Sequence, residues 1–200
     1  MIHRILSRNR GGNESLIHQM HQLRARQFSE RRGWRVDVRN GYEFDRFDDM
    51  DPLYIVVSDG EDQLLASLRL LPTTGPHMLS DVFPEVMGKN AVIRHPLIWE
   101  SSRFCVDTRA CREFGEDMIN TATRELLRGL FETAEHAGME NIVSVYDLYV
   151  ERILKRSGCI FDRIGEVVRY DDLRTTAGIF EVSQRVIQNL ADRTALARAV

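Results

Sequence analysis

Apolar and polar positions along this chain follow two rhythms. Over residues 14–32, Leu16, Met20 and Leu23 recur at helical spacing with Ile17 beside them, which predicts an amphipathic helix ended by Gly33. Met118, Ile119, Ala122, Leu126, Leu130, Ala134 and Ala137 keep the same period and predict a longer helix over 116–137, stopped by Gly138. Short aliphatic runs read as strands: Ile2–Leu6 at an edge, Leu53–Ser58 and Leu64–Leu71 joined by a D-G-E-D turn, 97–106, the β-branched Ile142–Leu148, and stretches near 159–161 and 166–173. A short helix over 150–157 stops at Gly158, and a last helix covers 179–198. Residues 35–52 are polar and acid-rich and read as a long functional loop, and 77–90 as an irregular linker.

Strands separated by helices predict an α/β fold. The 53–71 hairpin makes its sheet mixed, so the expected architecture is a three-layer α/β/α sandwich. The 200 residues suit one domain, 1–200. A hydrophobic content of 43%, a charged content of 28% and a net charge of −3 describe a soluble globular chain without a general basic footprint. Neither nucleic acid nor membrane is expected as a partner, and the expected location is cytoplasmic.

Local charge is far less even. Residues 1–40 hold nine Arg against three acids, whereas 41–62 hold eight acids against Arg46 alone. Blocks of opposite sign so close in sequence can fold against each other, clasp a zwitterion, or simply face solvent. Cys105, Cys111 and Cys159 lack C-x-x-C spacing, so neither a disulfide framework nor a zinc site is expected. The acids at 43, 45, 48, 49 and 51 do not form a calcium loop, and no metal is expected.

Charged residues inside apolar runs are the stronger clue, because such groups are rarely buried without partners. Arg24 falls between Met20 and Phe28 on the apolar stripe of the first helix, and Arg69 interrupts LLASLRLL. Glu100 and Arg103 lie three apart in one strand, where ideal pleating sends them to opposite faces unless a bulge intervenes. On the short helix after the 142–148 strand, Arg152, Lys155 and Arg156 share a face, either as a solvated surface or as a patch that steers an acidic macromolecule. The serine-hydrolase elbow, the P-loop and the dinucleotide fingerprint are all absent.

In order and spacing, LRARQF (23–28), GW (33–34), EFDRFD (43–48), LRLLPTTGPHMLSDVFP (68–84) and ESSRFCVD (100–107) resemble the acyl-homoserine-lactone synthases, the autoinducer makers of bacterial quorum sensing. The resemblance implies a fold like that of the GCN5-related N-acetyltransferases, although their typical coenzyme A loop is missing. It implies no cofactor and two substrates: S-adenosyl-methionine, and a fatty acyl thioester on acyl carrier protein or coenzyme A. The amine of S-adenosyl-methionine attacks the thioester to make an amide. Its carboxylate then displaces the sulfonium, closing the lactone and releasing methylthioadenosine.

On that resemblance Arg24, Phe28, Trp34, Asp45, Asp48, Arg69, Arg103 and Phe104 are expected around S-adenosyl-methionine. Phe28 and Trp34 would enclose adenine or the sulfonium. Arg24 and Arg103 would hold the carboxylate or brace the acidic loop, and Asp45 and Asp48 would orient the amine, the ribose or those arginines. Glu43 is expected in a structural role. Glu100 is the candidate base, with Arg103 and Asp45 beside it in the chemistry, and a purely structural Glu100 is the competing assignment. An oxyanion donor is expected from the main chain near 101–105. Leu70, Phe104, Ser144, Tyr146 and Leu148 are the expected acyl walls, and Arg152, Lys155 and Arg156 the docking patch for an acidic carrier protein. Another acyltransferase of this fold, and a non-catalytic binding domain, are the alternatives.

Overall fold

The computed structural model describes residues 1–88, 92–115, 118–170 and 172–198. In chain order, β1 (Ile2–Ile5) leads to α1 (Glu14–Arg24), which widens into a π-helical turn over Ala25–Arg31. The predicted single helix therefore changes pitch just after Arg24. Wider turns of this kind concentrate at functional sites. Gly33 (φ +66°) ends it, and its N–H donates to the Ser29 carbonyl. The stretch expected as a loop is structured: β2 (Val38–Arg39) and β3 (Tyr42–Glu43) form a hairpin, followed by a 3₁₀ turn at Arg46–Asp49. Asn40 and Gly41 make its turn at φ +52° and +82°, the left-handed pair that two-residue hairpins require.

β4 (Leu53–Ser58) and β5 (Leu64–Pro72) follow, and then α2 (Met78–Asp81) and a 3₁₀ turn at Pro84–Met87 within the predicted linker. β6 (Ile98–Val106) precedes a short α3 (Thr108–Glu113), absent from the sequence reading, and α4 (Met118–His136). β7 (Asn141–Asp147) runs into α5 (Leu148–Ser157), whose first turn is capped by the Asp147 carboxylate. The C-terminal part departs furthest from expectation. β8 (Phe161–Arg163) and β9 (Val168–Tyr170) are short, β10 spans Leu173–Glu181, and α6 (Gln184–Arg198) starts five residues later than predicted.

These elements form two compact units: Met1–Arg69 with Arg103–Leu126, and Leu70–Ser102 with the chain from Leu127 onward. In the first, β1 pairs antiparallel with β4. Its core joins Ile5, Leu16, Met20, Leu23, Phe28, Tyr54, Val56, Leu64 and Cys105, with Trp34 and Val36 packed against it. In the second, β6 runs parallel to β7, and β10 lies antiparallel to β7, β8 and β9, so the sheet is mixed. Leu79, Val86, Val143 and Ala177 make the buried heart of one of its faces. Among the described residues no helix is long and apolar enough to cross a membrane.

Candidate active site

Arg24 is the centre of the first unit. Position 24 lies on the inner stripe of α1, so the guanidinium is carried into the core and is fully buried. Its Nε donates to Glu43, and its two terminal nitrogens fork onto Asp48 at 2.8 Å each. Arg69, likewise fully buried, donates to both oxygens of Asp45 (2.5 and 2.9 Å) and to Asp48 (2.9 Å). Arg103 reaches Glu43 and Asp45 at 2.9 and 2.7 Å. Tyr54 adds a hydroxyl donated to Asp48 at 2.6 Å. Three guanidinium groups and three carboxylates thus interlock with no net charge.

Local sequence explains how the acids are delivered. Asp45 caps the 3₁₀ turn by accepting from the Phe47 N–H, while Asp48 accepts from the Asp45 N–H in return. His21, one helical turn before Arg24, donates from Nδ1 to the Glu43 carbonyl and packs against Phe44, the ring centres 4.0 Å apart and the planes tilted by 31°. A carbonyl only accepts, so Nδ1 carries the proton. Burial, and then the Arg24 charge, lower the pKa of His21, so the ring is neutral in the fold. Burial acts to raise the pKa of Asp48, but Arg24 and Arg69 outweigh it and hold the carboxyl well below the ordinary range. Asp45 is lowered in the same way, against its burial, by Arg69 and Arg103.

Arg103 itself has a φ of +55°, a left-handed conformation uncommon for a side chain of its size. The regular pleat of β6 is broken there, three residues beyond Glu100. Phe28 and Trp34 stack on each other at 5.4 Å and 19°, and the Arg103 guanidinium lies 5.0 Å from the Phe28 ring centre. Beside the cluster a cavity of about 940 Å³ is lined by Arg35, Tyr42, Glu43, Phe44, Asp45, Arg46 and Arg103, among others. Asp45 and Arg103 of the expected nucleotide-substrate residues line it, whereas Arg24, Asp48 and Arg69 stand behind it as the brace.

Glu100 belongs to the second unit and is 1% exposed. Its two oxygens accept the Met78 and Leu79 N–H groups at 2.7 and 2.6 Å, capping the first turn of α2. The parallel ladder between β6 and β7 pairs Ile98–Glu100 with Asn141–Val143. Next along, Ser144 donates to the Ser101 carbonyl at 2.7 Å. Of the remaining expected acyl walls, Leu70 and Tyr146 are buried and Leu148 is half-buried in the second unit, whereas Phe104 is half-buried in the first. Arg152, Lys155 and Arg156 are all exposed on α5. Lys155 and Arg163 share the Glu151 carboxylate (2.7 and 2.6 Å), so the basic face also includes Arg163.

The family model described as autoinducer synthase matches residues 9–190. The chain belongs to the autoinducer synthase family. It is 35% identical over 164 residues to the acyl-homoserine-lactone synthase of Rhizobium radiobacter, covering 82% of this chain and 77% of that one. Among solved structures, it superposes on BjaI, a coenzyme A-dependent acyl-homoserine lactone synthase determined with SAM and isopentyl-CoA. The TM-score is 0.86 at 28% identity, over 98% of this chain and 89% of that one. An acyl-CoA N-acyltransferase from Pseudomonas aeruginosa matches at a TM-score of 0.57 and 17% identity, over 90% and 97% of the two chains, which is a likeness of fold.

Two residues of this autoinducer synthase's charged cluster escaped the sequence reading. Tyr54 sits in an apolar run, where nothing distinguishes a core tyrosine from a hydrogen-bonding one. His21 lies on a helix, where nothing in the sequence separates an ordinary core histidine from one that donates to a distant carbonyl. Among the described residues no group of three His, Cys, Asp or Glu is placed to hold a metal. Asn40-Gly41 did carry a readable signal, since that dipeptide between short strands is a hairpin mark.

Proposed function

We propose that this protein makes N-acyl-L-homoserine lactone from S-adenosyl-methionine and an acyl thioester. The match of the autoinducer synthase model to residues 9–190 carries the reading. The SAM and isopentyl-CoA bound by BjaI supply its two substrate classes. The amine of S-adenosyl-methionine attacks the thioester carbonyl, losing a proton as the thiol leaves with one. The carboxylate then attacks the carbon bearing the sulfonium, the C–S bond breaks, and methylthioadenosine departs with the electron pair.

In this reading Arg24, Asp48 and Arg69, with Glu43 and Tyr54, are positioning residues, because their charges are spent on one another. Asp45 and Arg103 sit on the cavity wall and meet the ammonium and carboxylate of the nucleotide. Phe28 and Trp34 supply the aromatic surface, with Phe104 the next side chain on β6. Glu100 takes the amine proton through water, its carboxylate held in place by the first turn of α2. Ser144, Tyr146, Leu148 and Leu70 wall the acyl chain. Arg152, Lys155 and Arg156 suit an acidic carrier protein, which makes the carrier a donor alongside coenzyme A.

The test is incubation with S-adenosyl-methionine and a panel of acyl thioesters, read by mass analysis. Equal amounts of lactone amide and methylthioadenosine are expected. An acylated amine formed without S-adenosyl-methionine, or bound nucleotide with no methylthioadenosine released, overturns the proposal.

A further inference from the structure

The register of β7 and β10 brings a set of aromatic rings together on one face of the second unit's sheet. Tyr146 lies opposite Thr176, Ser144 opposite Gly178, and Ile142 opposite Phe180. Side chains two apart share a face, so all six positions project to one side, and Phe161 joins them through its pairing with Phe180. There the Tyr146 ring meets Phe161 and Phe180 edge-on at 5.8 and 5.9 Å, while those two stack at 4.4 Å.

Gly178 leaves an empty seat, and Tyr146 takes it. A Cβ at position 178 would stand 2.4 Å from the Tyr146 hydroxyl oxygen and 3.0 Å from its ring. The ring therefore leans from its own register position toward the Ser144–Gly178 pair. That pair lies just past the last rung of the β6–β7 ladder, at Glu100 and Val143. Tyr146 is 6% exposed, and among the described residues its buried hydroxyl has no hydrogen-bond partner. Packing alone, with no tether on the hydroxyl, fixes the ring.

Resting on the acyl walls of the proposed function, we propose that Tyr146 is a specificity-determining residue. Its ring, seated on Gly178 and backed by Phe161 and Phe180, is the end-stop of the acyl channel, so short-chain acyl thioesters are the preferred donors. A protein interior is close-packed, and each further methylene of a long chain must displace an aromatic ring already packed against Phe161 and Phe180.

The experiment measures kcat/KM of the full chain with S-adenosyl-methionine and butyryl, octanoyl or dodecanoyl thioesters, alongside thermal unfolding of each variant. The parent is expected to favour butyryl. Tyr146→Val should raise the dodecanoyl-to-butyryl ratio by about tenfold or more, the scale on which apolar pockets discriminate chain length. Tyr146→Phe, which keeps the ring, should leave the ratio within about twofold. Phe161→Ala removes the backing and should shift it in the same direction as Tyr146→Val, which keeps the test alive if the latter fails to fold. A parent preference for dodecanoyl, an unchanged ratio in the folded Val and Ala variants, or a Phe variant as relaxed as the Val variant each overturns the end-stop. If the parent yields no lactone amide from any donor, the functional reading falls and the end-stop falls with it. A ratio indifferent to these substitutions in a lactone-forming enzyme defeats the end-stop alone.

Discussion

Asp48 accepts from Arg24, Arg69, Tyr54 and the Asp45 N–H, all within 2.9 Å. A buried anion with that many donors holds its neighbours in place, and removing its charge leaves three buried or half-buried guanidinium groups facing two carboxylates. Asp48→Asn is therefore expected to cost about 3–5 kcal/mol in denaturant unfolding. A loss below about 1 kcal/mol, the scale of a surface pair, would show the cluster to be dispensable. The pH dependence has a definite sign. Asp45 and Asp48 both have lowered pKa values in the fold. Their contribution to stability is complete above about pH 4, the unfolded aspartate value, and is lost as pH falls through the folded values. The parent should lose stability steeply on that acid limb, and Asp48→Asn should flatten it. The three cysteines have no part in this, being buried, with the Cys105 thiol pushed up to about 12 by burial.

Among elements, β6 ties the two kinds of chemistry to one strand, Glu100 as the cap of α2 and Arg103 as a member of the charged cluster. The capping geometry sharpens what a substitution at Glu100 reports. Gln keeps one carbonyl oxygen but turns an amide N–H₂ toward a main-chain donor, so Glu100→Gln should loosen α2 by about 1–3 kcal/mol as well as slow turnover. Hydrogen exchange at Met78 and Leu79 separates the two effects. Slowed turnover with unaltered exchange assigns Glu100 to proton transfer, whereas faster exchange and an unchanged rate remove it from the mechanism. The sequence revealed β6 and its two charges, because charge inside an apolar strand is visible without coordinates. It hid the left-handed turn at Arg103, since nothing in S-R-F distinguishes that backbone from an extended one. It also hid β10, whose Ala177-Gly178-Ile179 reads locally as a break. Three neighbouring strands and the Tyr146 ring override that local signal.

For the molecule as a whole, only Arg24, Glu43, Asp45 and Asp48 of the opposite charge blocks in the first 62 residues enter the neutral cluster, which Arg69 and Arg103 complete, while Arg35, Arg39, Asp49 and Glu61 stay exposed as charged surface. The exposed Arg152, Lys155 and Arg156 face on α5 is the clearest such surface. Reversing all three to Glu should lower the association rate with an acyl carrier protein by about tenfold or more at low salt, with little change for acyl-coenzyme A of the same chain. Raising salt should erase most of the difference. Stopped-flow association across a salt series checks this, and carrier binding indifferent to the reversal would move the docking surface away from α5. The mixed α/β architecture was legible from periodicity and the strand hairpin. The braced cluster was legible as a set of residues but not as a set of partners, because pairing depends on which strands lie side by side. Tyr54 and His21 show the limit, since each looks like ordinary core until its hydrogen bond is seen.

The backbone at Arg103 has a consequence for how this chain tolerates change. Glycine suits a φ of +55° better than arginine does, so a randomised library screened only for soluble expression would enrich Gly there. The same library screened for signal production would enrich Arg. The distance between those two outcomes would measure how much conformational comfort the enzyme forgoes to keep one guanidinium beside Glu43 and Asp45.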